Sequence, residues 1–175
     1  MLVRCAKLEE VAPAVALACE SFIAAVAPHY DQDGIRTFLD FASPEAMLKR
    51  VQENYAVYVA YEEEQLVGMA ATRDGSHISM LFVAPHAQRR GIGRMLIELA
   101  LSKCSGDVIT VNASPNSEGA YVRFGFRRLS DEKVIDGIRF IPMALEKKKP
   151  NQRSEPTPGN RPPSKQSSPS GVARP

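Results

Sequence analysis

The sequence predicts an α/β domain of the α+β kind, with a central mixed sheet of about six or seven strands and about four or five flanking helices. Short apolar runs typical of strands alternate with segments whose apolar residues recur every three or four positions, as on one face of a helix. The chain has 175 residues, of which 44% are hydrophobic, and this suits a single core. There is no internal repeat, so one domain over residues 1–146 is expected.

The first third of the chain predicts one strand followed by three helices. Ser43 and Pro44 are a favourable N-cap and first-turn pair for the third helix. The stretch HYDQDG between the first two helices is rich in turn-forming residues. The predicted elements are a strand at 2–7, a helix at 8–27, a loop at 29–34, a helical stretch to residue 39 and a helix from 44 to about 54.

The remaining two thirds predict most of the sheet and two more helices. An acidic turn, EEEQ, separates the strands of a hairpin, and Asp-Gly pairs at 74–75 and 136–137 turn the chain into the strands that follow them. The predicted elements are strands at 55–61, 66–73, 77–83 and 107–113, a helix from 91 or 92 to 103, a helix at 117–124, and two last strands at 126–129 and 137–146.

Residues 147–175 differ from the rest of the chain in composition. They carry seven Lys/Arg and one Asp/Glu, 7 − 1 = +6, whereas residues 1–146 carry 15 and 19, 15 − 19 = −4. A segment rich in Pro, Ser and basic residues, with few large apolar ones, cannot bury enough surface to offset its ordering entropy. We therefore predict a disordered tail. A solvated extension is favoured over a nucleic-acid contact, so nucleic acid is not an expected partner.

Several classes of protein and site are not expected. No apolar window approaches the roughly 20 residues that a membrane span requires, and residues 1–10 lack the apolar stretch of a signal peptide. The three cysteines, Cys5, Cys19 and Cys104, have no metal-ligand spacing, so no metal site is predicted. A reduced, cytoplasmic protein without membrane contact is the expectation. The sequence leaves the oligomeric state open, and a homodimer is one alternative.

A glycine-rich stretch, HAQRRGIGRML, stands where a predicted strand passes into a predicted helix. Gly91 and Gly93 would let the backbone approach a ligand, and N–H groups at a helix start attract an anion. Arg89, Arg90 and Arg94 would add electrostatic attraction. The sequence lacks both the GxxxxGK[ST] P-loop and the GxGxxG dinucleotide motif. A phosphate site is therefore predicted, and the alternative is a tight turn flanked by solvated arginines.

Two longer patterns carry a family resemblance. Val83-x-Pro85-x-x-QRRGIG, after an apolar strand and before an amphipathic helix, resembles motif A of the GCN5-related N-acetyltransferases (GNAT). The segment YVRFGF from Tyr121 resembles the Y-x-x-x-G-F segment of that family. The two motifs lie one strand and one short helix apart, and the resemblance covers roughly residues 2–146. It implies the GNAT fold, whose central sheet splays in the middle, and an acyltransferase that uses acetyl-CoA.

The resemblance also implies which residues contact acetyl-CoA. The pyrophosphate would lie on main-chain N–H groups with Arg94 nearby. The pantetheine arm would lie in the splay, bonded to main chain near Leu81 and Val83 and to Asn112 on the opposite strand. Many members carry asparagine seven residues before the motif tyrosine, where this chain has Ser114, whose hydroxyl can still donate or accept. The pyrophosphate loop would be formed by Gln88, Arg89, Arg90, Gly91, Ile92 and Gly93.

Acetyl transfer from a thioester to an amine needs a neutral amine and a proton for the departing thiolate. The resemblance implies that Tyr121 supplies this proton, because the family tyrosine has its hydroxyl beside the CoA sulfur. His77, at the start of the strand that leads to motif A, is the predicted base, since imidazole titrates in a useful range. The alternative is a histidine that is merely hydrogen-bonded at a strand start. Ser79 cannot ionise, so a relay through it would need water, and His86 is predicted to be a surface residue.

The predicted acceptor pocket lies between the first two helices and the last strands. His29, Tyr30, Asp31 and Asp33 are polar enough to contact a cationic substrate there, although such residues also form ordinary interhelical turns. We expect an N-acetyltransferase that transfers the acetyl group of acetyl-CoA by direct attack of a primary amine of a small molecule. The alternatives are acetylation of a protein N-terminus or lysine, and a non-catalytic acyl-CoA-binding sensor of the same fold.

Overall fold

The structure, a computed structural model, describes residues 1–147. The predicted basic tail lies outside the described residues, apart from Lys147. Strands are β1 Leu2–Cys5, β2 Tyr55–Glu62, β3 Gln65–Arg73, β4 His77–Val83, β5 Val108–Ala113, β6 Arg127–Arg128, β7 Lys133–Ile135 and β8 Ile138–Glu146. Helices are α1 Leu8–Ala25, α2 Gln32–Phe41, α3 Pro44–Glu53, α4 Ile92–Lys103 and α5 Glu118–Arg123, with 3-10 turns at Ala27–His29 and Pro85–Ala87.

The eight strands form one mixed sheet in the order β1-β2-β3-β4-β5-β8-β6, and β7 pairs with β8. Every pairing is antiparallel except the parallel pair β4–β5. Each residue from Val67 to Thr72 of β3 is buried, and both α1 and α4 contact this strand. Because successive residues of a strand point to opposite faces, β3 is covered on both sides and forms the centre of the core. The predicted mixed α/β fold is confirmed.

The sequence prediction misses one strand, β7. Its three residues, KVI, are too few to show the alternation of apolar and polar side chains that marks a strand, and all three are exposed. They become a strand through the turn that follows, in which Asp136 and Gly137 have φ of 50° and 76°. Two consecutive residues with positive φ are typical of the tight hairpin turn that Asp-Gly favours. The described sheet therefore has eight strands instead of six or seven.

Two predicted boundaries around the first loop are wrong. α1 ends at Ala25 instead of residue 27, because Pro28 disfavours helical backbone in the residue before it and the chain passes into a 3-10 turn. The second half of HYDQDG is the first turn of α2 and not a loop. Asp31 is the N-cap of this helix, and its Oδ1 accepts a hydrogen bond of 2.7 Å from the Gly34 N–H. The N-cap at Ser43 is confirmed, with Oγ 3.3 Å from the Ala46 nitrogen.

The predicted splay is present between β4 and β5. These strands pair only at His77 with Thr110 and at Ile78 with Val111. On its other edge β4 carries an irregularity, because Met80 and Ile78 face consecutive residues of β3 and Ser79 has no partner there. Beyond the two pairs, β4 and β5 diverge. We call the space between residues 79–83 and residues 112–113 the strand gap.

Helix α2 is held against the turn between β7 and β8. A Cβ built on Gly34 would lie 2.3 Å from the carbonyl oxygen of Gly137, so only glycine permits this approach. The Thr37 hydroxyl donates a 2.9 Å hydrogen bond to the Asp136 carbonyl. On β4, the Phe82 ring meets the Phe38 ring of α2 edge to face at 5.6 Å, so α2 also lies beside the strand gap. None of the helices in residues 1–147 has the length and apolar character needed to span a membrane.

Candidate active site

The glycine-rich stretch forms an open helix start at the end of β4. Gly91 is the N-cap of α4 with φ of 84°, a conformation that favours glycine, and it offers no side chain to cap the helix. A Cβ built on it would meet no atom within 4 Å. The first helical bond runs from the Met95 N–H to the Gly91 carbonyl, so the preceding N–H groups have no partner within α4. This arrangement can bind an anion on main-chain groups.

Two of the three predicted arginines already form ion pairs at the protein surface. Arg90 pairs with Glu62 of the β2–β3 hairpin, and Arg94 Nε lies 2.7 Å from Glu98 Oε1. Within residues 1–147, Arg89 forms no ion pair. Exposed ion pairs contribute little to stability, so these arginines can exchange a carboxylate for a phosphate at small cost. Electrostatic attraction of an anion by these arginines stays a prediction.

The backbone of β4 directs polar groups into the strand gap. The Ala84 N–H donates to Val67 on β3 at 2.9 Å, and in an antiparallel pair alternate residues bond to the neighbour. The N–H and C=O groups of Leu81 and Val83 therefore point away from β3, towards β5. The Val83 carbonyl already accepts from Gln88 Nε2 at 3.1 Å and from Ser21 Oγ at 3.4 Å. Gln88 thus folds back on the strand end, and the remaining groups of Leu81 and Val83 face the gap.

Asn112 and Ser114 have different surroundings on the opposite side. Asn112 is exposed on β5, beyond the last pair with β4, and its other neighbour in the sheet is Pro142. Ser114 lies in the loop before α5, where its hydroxyl donates to Ser117 Oγ at 2.9 Å. The structure therefore places Asn112 beside the gap, whereas Ser114 also stabilises the loop. Contact between Ser114 and CoA stays a prediction. In such a contact the Ser114 oxygen would act as an acceptor, because its hydroxyl hydrogen is used in the bond to Ser117.

Tyr121 lies in α5 with its ring packed in the core. The residue is 6% exposed, and its ring meets those of Phe124 and Phe126 edge to face at 6.0 and 5.5 Å. Burial raises the pKa of the phenol well above its usual value of about 10. The hydroxyl makes no hydrogen bond with residues 1–147. Tyr121 thus presents a protonated hydroxyl that is free to donate a hydrogen bond to a bound ligand.

His77 lies at the closed end of the strand gap, where β4 and β5 still pair. Its Nδ1 is 2.8 Å from Thr110 Oγ1. Burial lowers the pKa of the imidazole, the positive charge of Arg73 lowers it further, and the negative charge of Asp74 opposes both. A neutral imidazole held through one nitrogen keeps the other able to accept a proton. The bond to Thr110 also fits the alternative of a histidine fixed at a strand start. His86 is exposed, as predicted.

Ser79, on β4, has a buried hydroxyl with unusual surroundings. Its Oγ is the one fully buried side-chain oxygen or nitrogen in residues 1–147 without a hydrogen-bond partner. Such an atom is costly in a folded protein, and it calls for a functional or structural explanation. Ser79 is the residue at which β4 leaves β5, so it lies at the inner end of the strand gap. The sequence names Ser79 only as a non-ionisable residue beside His77, because the irregularity in β4 that isolates its hydroxyl leaves no local pattern.

A small cavity lies where the acceptor pocket is predicted. It measures about 180 Å³ and is lined by His29, Tyr30, Pro115, Asn116 and Arg139. The Tyr30 hydroxyl donates to the Arg139 carbonyl at 2.5 Å, and its ring meets the Phe22 ring edge to face at 5.8 Å. These contacts join the chain after α1 to β8. The cavity therefore lies at the predicted position, and two of the predicted residues, His29 and Tyr30, line it.

The two aspartates predicted beside them do not line this cavity. The Asp31 carboxylate caps α2, and Asp33 forms an exposed ion pair with Arg36 at 2.5 Å. The charged side chain of the lining is Arg139, which the sequence prediction did not include. A larger depression of about 440 Å³ is lined only by four consecutive hairpin residues, Glu62–Gln65, which do not converge on a ligand. The cavity at Arg139 is thus the better candidate for an acceptor site, and the charged group in its lining is a guanidinium.

Comparison with known proteins agrees with the fold and the motifs. A family model described as an acetyltransferase (GNAT) domain matches residues 26–147. The uncharacterized N-acetyltransferase YafP of Escherichia coli strain K12 is 30% identical over 120 residues, 66% of this chain and 77% of that protein. The peptidyl-lysine N-acetyltransferase YjaB of Salmonella typhimurium is 33% identical over 81 residues, 46% of this chain. That match spans only 54% of the YjaB length.

A solved structure extends the likeness over most of the chain. The crystal structure of PaiA N-acetyltransferase from Thermoplasma acidophilum, in complex with coenzyme A, superposes with a TM-score of 0.67 at 14% identity. It covers 84% of this chain and all of that one. The family model alone spans well over half of the sequence and includes both motifs. The chain therefore belongs to the GCN5-related N-acetyltransferase family, and it is an acyltransferase.

Proposed function

We propose that the protein transfers the acetyl group of acetyl-CoA to a primary amine of a small molecule by direct attack. The observation that carries this proposal is the strand gap, with an uncapped helix start at its mouth and the Tyr121 hydroxyl on the helix that follows β5. A long, narrow acyl donor with a diphosphate at one end matches these features. Support also comes from PaiA, whose structure contains coenzyme A.

The residues present fit this donor. The N–H groups at the start of α4 would hold the pyrophosphate, and the open space at Gly91 leaves room for it. Leu81 and Val83 would bond the pantetheine arm from β4, and Asn112 would bond it from β5. The unpaired Ser79 hydroxyl would then donate to the thioester carbonyl oxygen at the inner end of the gap. Hydrogen bonds that strengthen as negative charge develops on such an oxygen lower the barrier.

Proton transfers are assigned to two further residues. An alkyl ammonium has a pKa of about 10.4 and must lose a proton before attack. His77, through water, would accept this proton with the nitrogen that Thr110 does not hold. Tyr121 would donate its hydroxyl proton to the departing thiolate, and the proton that the nitrogen loses as the amide forms would restore the Tyr121 hydroxyl.

A second candidate is acetylation of a protein lysine, because the Salmonella relative is a peptidyl-lysine N-acetyltransferase. The small volume of the cavity at Arg139 supports the small-molecule acceptor instead. Location in the cytoplasm and homodimer formation remain proposals.

The test is a panel of small amines and lysine peptides with acetyl-CoA, assayed by release of the CoA thiol. At least one small amine should be acetylated faster than any peptide. Preference for peptides would favour the second candidate. CoA binding without turnover of any amine would favour a sensor.

Replacing Ser79 by alanine should lower kcat about 10- to 100-fold, the effect of losing one hydrogen bond to a developing charge. The same change removes a buried, unpaired hydroxyl, so the free energy of unfolding should stay constant or rise slightly. Enzyme assays and chemical denaturation measure the two effects. Ser102→Ala, which removes an exposed hydroxyl on α4, is the matched control. An unchanged kcat in Ser79→Ala would contradict the assigned role.

Replacing His77 by glutamine should remove the acidic limb of the pH–rate profile. Because its pKa lies below 6.5 in the folded protein, wild-type activity should fall as the pH drops through that lowered value. The unfolded chain binds the proton first, so stability also decreases as pH falls from about 6.5 towards the folded pKa. His86→Gln is the control. If His77→Gln changed the pH dependence of stability but kept the wild-type pH–rate profile, His77 would only be hydrogen-bonded at the strand start and would not be the base.

A further inference from the structure

We infer that the acceptor amine carries a carboxylate, and that Arg139 binds this carboxylate in the cavity beside the strand gap. The inference rests on the proposed acetyl transfer and specifies its acceptor. It replaces the cationic acceptor expected from sequence, because the acidic residues on which that expectation depended lie outside the cavity lining.

The charge of the cavity is the first argument. Its lining contains one guanidinium group and no carboxylate. Glu132 pairs with Arg139 Nε at 2.7 Å, and the Nη1 of Arg139 reaches the His29 carbonyl only at 3.5 Å. The Nη2 group makes no hydrogen bond with residues 1–147. A guanidinium with donors to spare binds a carboxylate through two parallel hydrogen bonds.

The position of Arg139 is fixed by its neighbours. Tyr30 bonds its carbonyl, and the ion pair with Glu132 orients its side chain, which is 43% exposed. Arg139 lies on β8, two residues from Ile141, which pairs with Ala113 at the end of β5. Arg139 therefore lies near the end of the sheet at which the strand gap opens. A carboxylate bound there would direct the rest of the acceptor towards the gap.

The amide of Asn116 supplies a complementary group. Its Nδ2 donates to the Ala25 carbonyl at 3.1 Å, which orients the side chain and leaves Oδ1 as an acceptor. Asn116 lies in the loop between β5 and the helix that carries Tyr121. An amine N–H can bond to Oδ1 while the carboxylate bonds to Arg139. The lining thus offers groups for both ends of an amino acid.

The volume limits the acceptor. About 180 Å³ corresponds to about six water molecules at roughly 30 Å³ each. A short amino acid fits this space, whereas drug-sized ligands occupy about 300–1,000 Å³. Polyamines would bring positive charge to Arg139 and should be poor acceptors.

The experiment compares amino acids with their carboxamides as acceptors. Glycine, β-alanine, 4-aminobutyrate, glutamate and lysine are each paired with the corresponding amide, and spermidine is included as a cation. The best carboxylate should exceed its amide by about 10- to 100-fold in kcat/KM, the effect expected for hydrogen bonds to a charged group. Arg139→Gln should remove this preference and Arg139→Lys should partly restore it. Arg127→Gln, which loses an exposed ion pair with Glu146, is the matched control.

A second readout separates this inference from the proposed function. Calorimetric binding of the same carboxylates to the CoA-loaded protein should be weakened about tenfold or more by Arg139→Gln. Turnover of amides or spermidine at least as fast as carboxylates would overturn the inference and leave acetyl transfer intact. Carboxylate binding that depends on Arg139, without turnover of any amine, would overturn acetyl transfer and retain the binding site. Equal carboxylate binding in wild type and Arg139→Gln would overturn the inference directly.

Discussion

Replacing Gly91 by glutamate should weaken CoA binding by at least about 100-fold and leave the protein folded. The new side chain would leave the helix start at the point where the pyrophosphate is expected, and like charges in close contact cost several kcal/mol. No atom lies within 4 Å of a Cβ at this position, so the substitution creates no clash inside the protein. Isothermal titration with CoA, together with a thermal melt, measures affinity and folding separately.

Gly91→Ala is the control for the backbone. Alanine keeps the charge of the loop but must also adopt φ of 84°, which costs about 1–2 kcal/mol. Gly91→Ala and Gly91→Glu should therefore melt at similar temperatures, both below wild type, and differ mainly in CoA affinity. If Gly91→Glu bound CoA as well as Gly91→Ala does, the phosphate site would lie elsewhere.

Replacing Tyr121 by phenylalanine should lower kcat by about 100-fold or more, the usual contribution of a positioned acid. The ring and its contacts with Phe124 and Phe126 are retained, so folding and CoA affinity should stay close to wild type. The raised pKa keeps the hydroxyl protonated, and the wild-type rate should show no titration of this group at or below its usual value of about 10. Single-turnover rates and CoA titrations test both statements.

Tyr58→Phe provides a matched control. Tyr58 is also a buried tyrosine with a raised pKa, but its hydroxyl is 3.4 Å from Thr72 Oγ1 and lies in the core. A comparable loss of kcat in both variants would point to general disturbance of the fold. Full activity of Tyr121→Phe would contradict its assignment as the acid.

The features with strong local signals could be predicted from the sequence. The strand His77–Val83 and the end of helix α4 at Lys103 are found as predicted. The spacing of apolar residues and the turn-forming residues beside them mark both elements in the sequence. Motif A and the motif at Tyr121 are contiguous strings, so their resemblance needs no tertiary information.

The features that depend on tertiary contacts could not be predicted. The role proposed for Ser79 depends on a strand irregularity, and that proposed for Arg139 depends on the contact of β8 with Tyr30. The aspartates near α2 were assigned to the acceptor because of their charge. Helix capping uses the same residue type, and the structure assigns Asp31 to the cap.

The narrow junction between β4 and β5 has a mechanical consequence. Strands β1–β4 with α1, α3 and α4 form one arm of the molecule, and β5–β8 with α5 form the other. In the sheet the arms join at two residue pairs, and α2 bridges them through its contact with the β7–β8 turn. His29 follows the first arm and Arg139 lies on the second. The strand gap and the candidate acceptor cavity are therefore bounded by the same two arms, so a substitution that shifts one arm against the other should alter both.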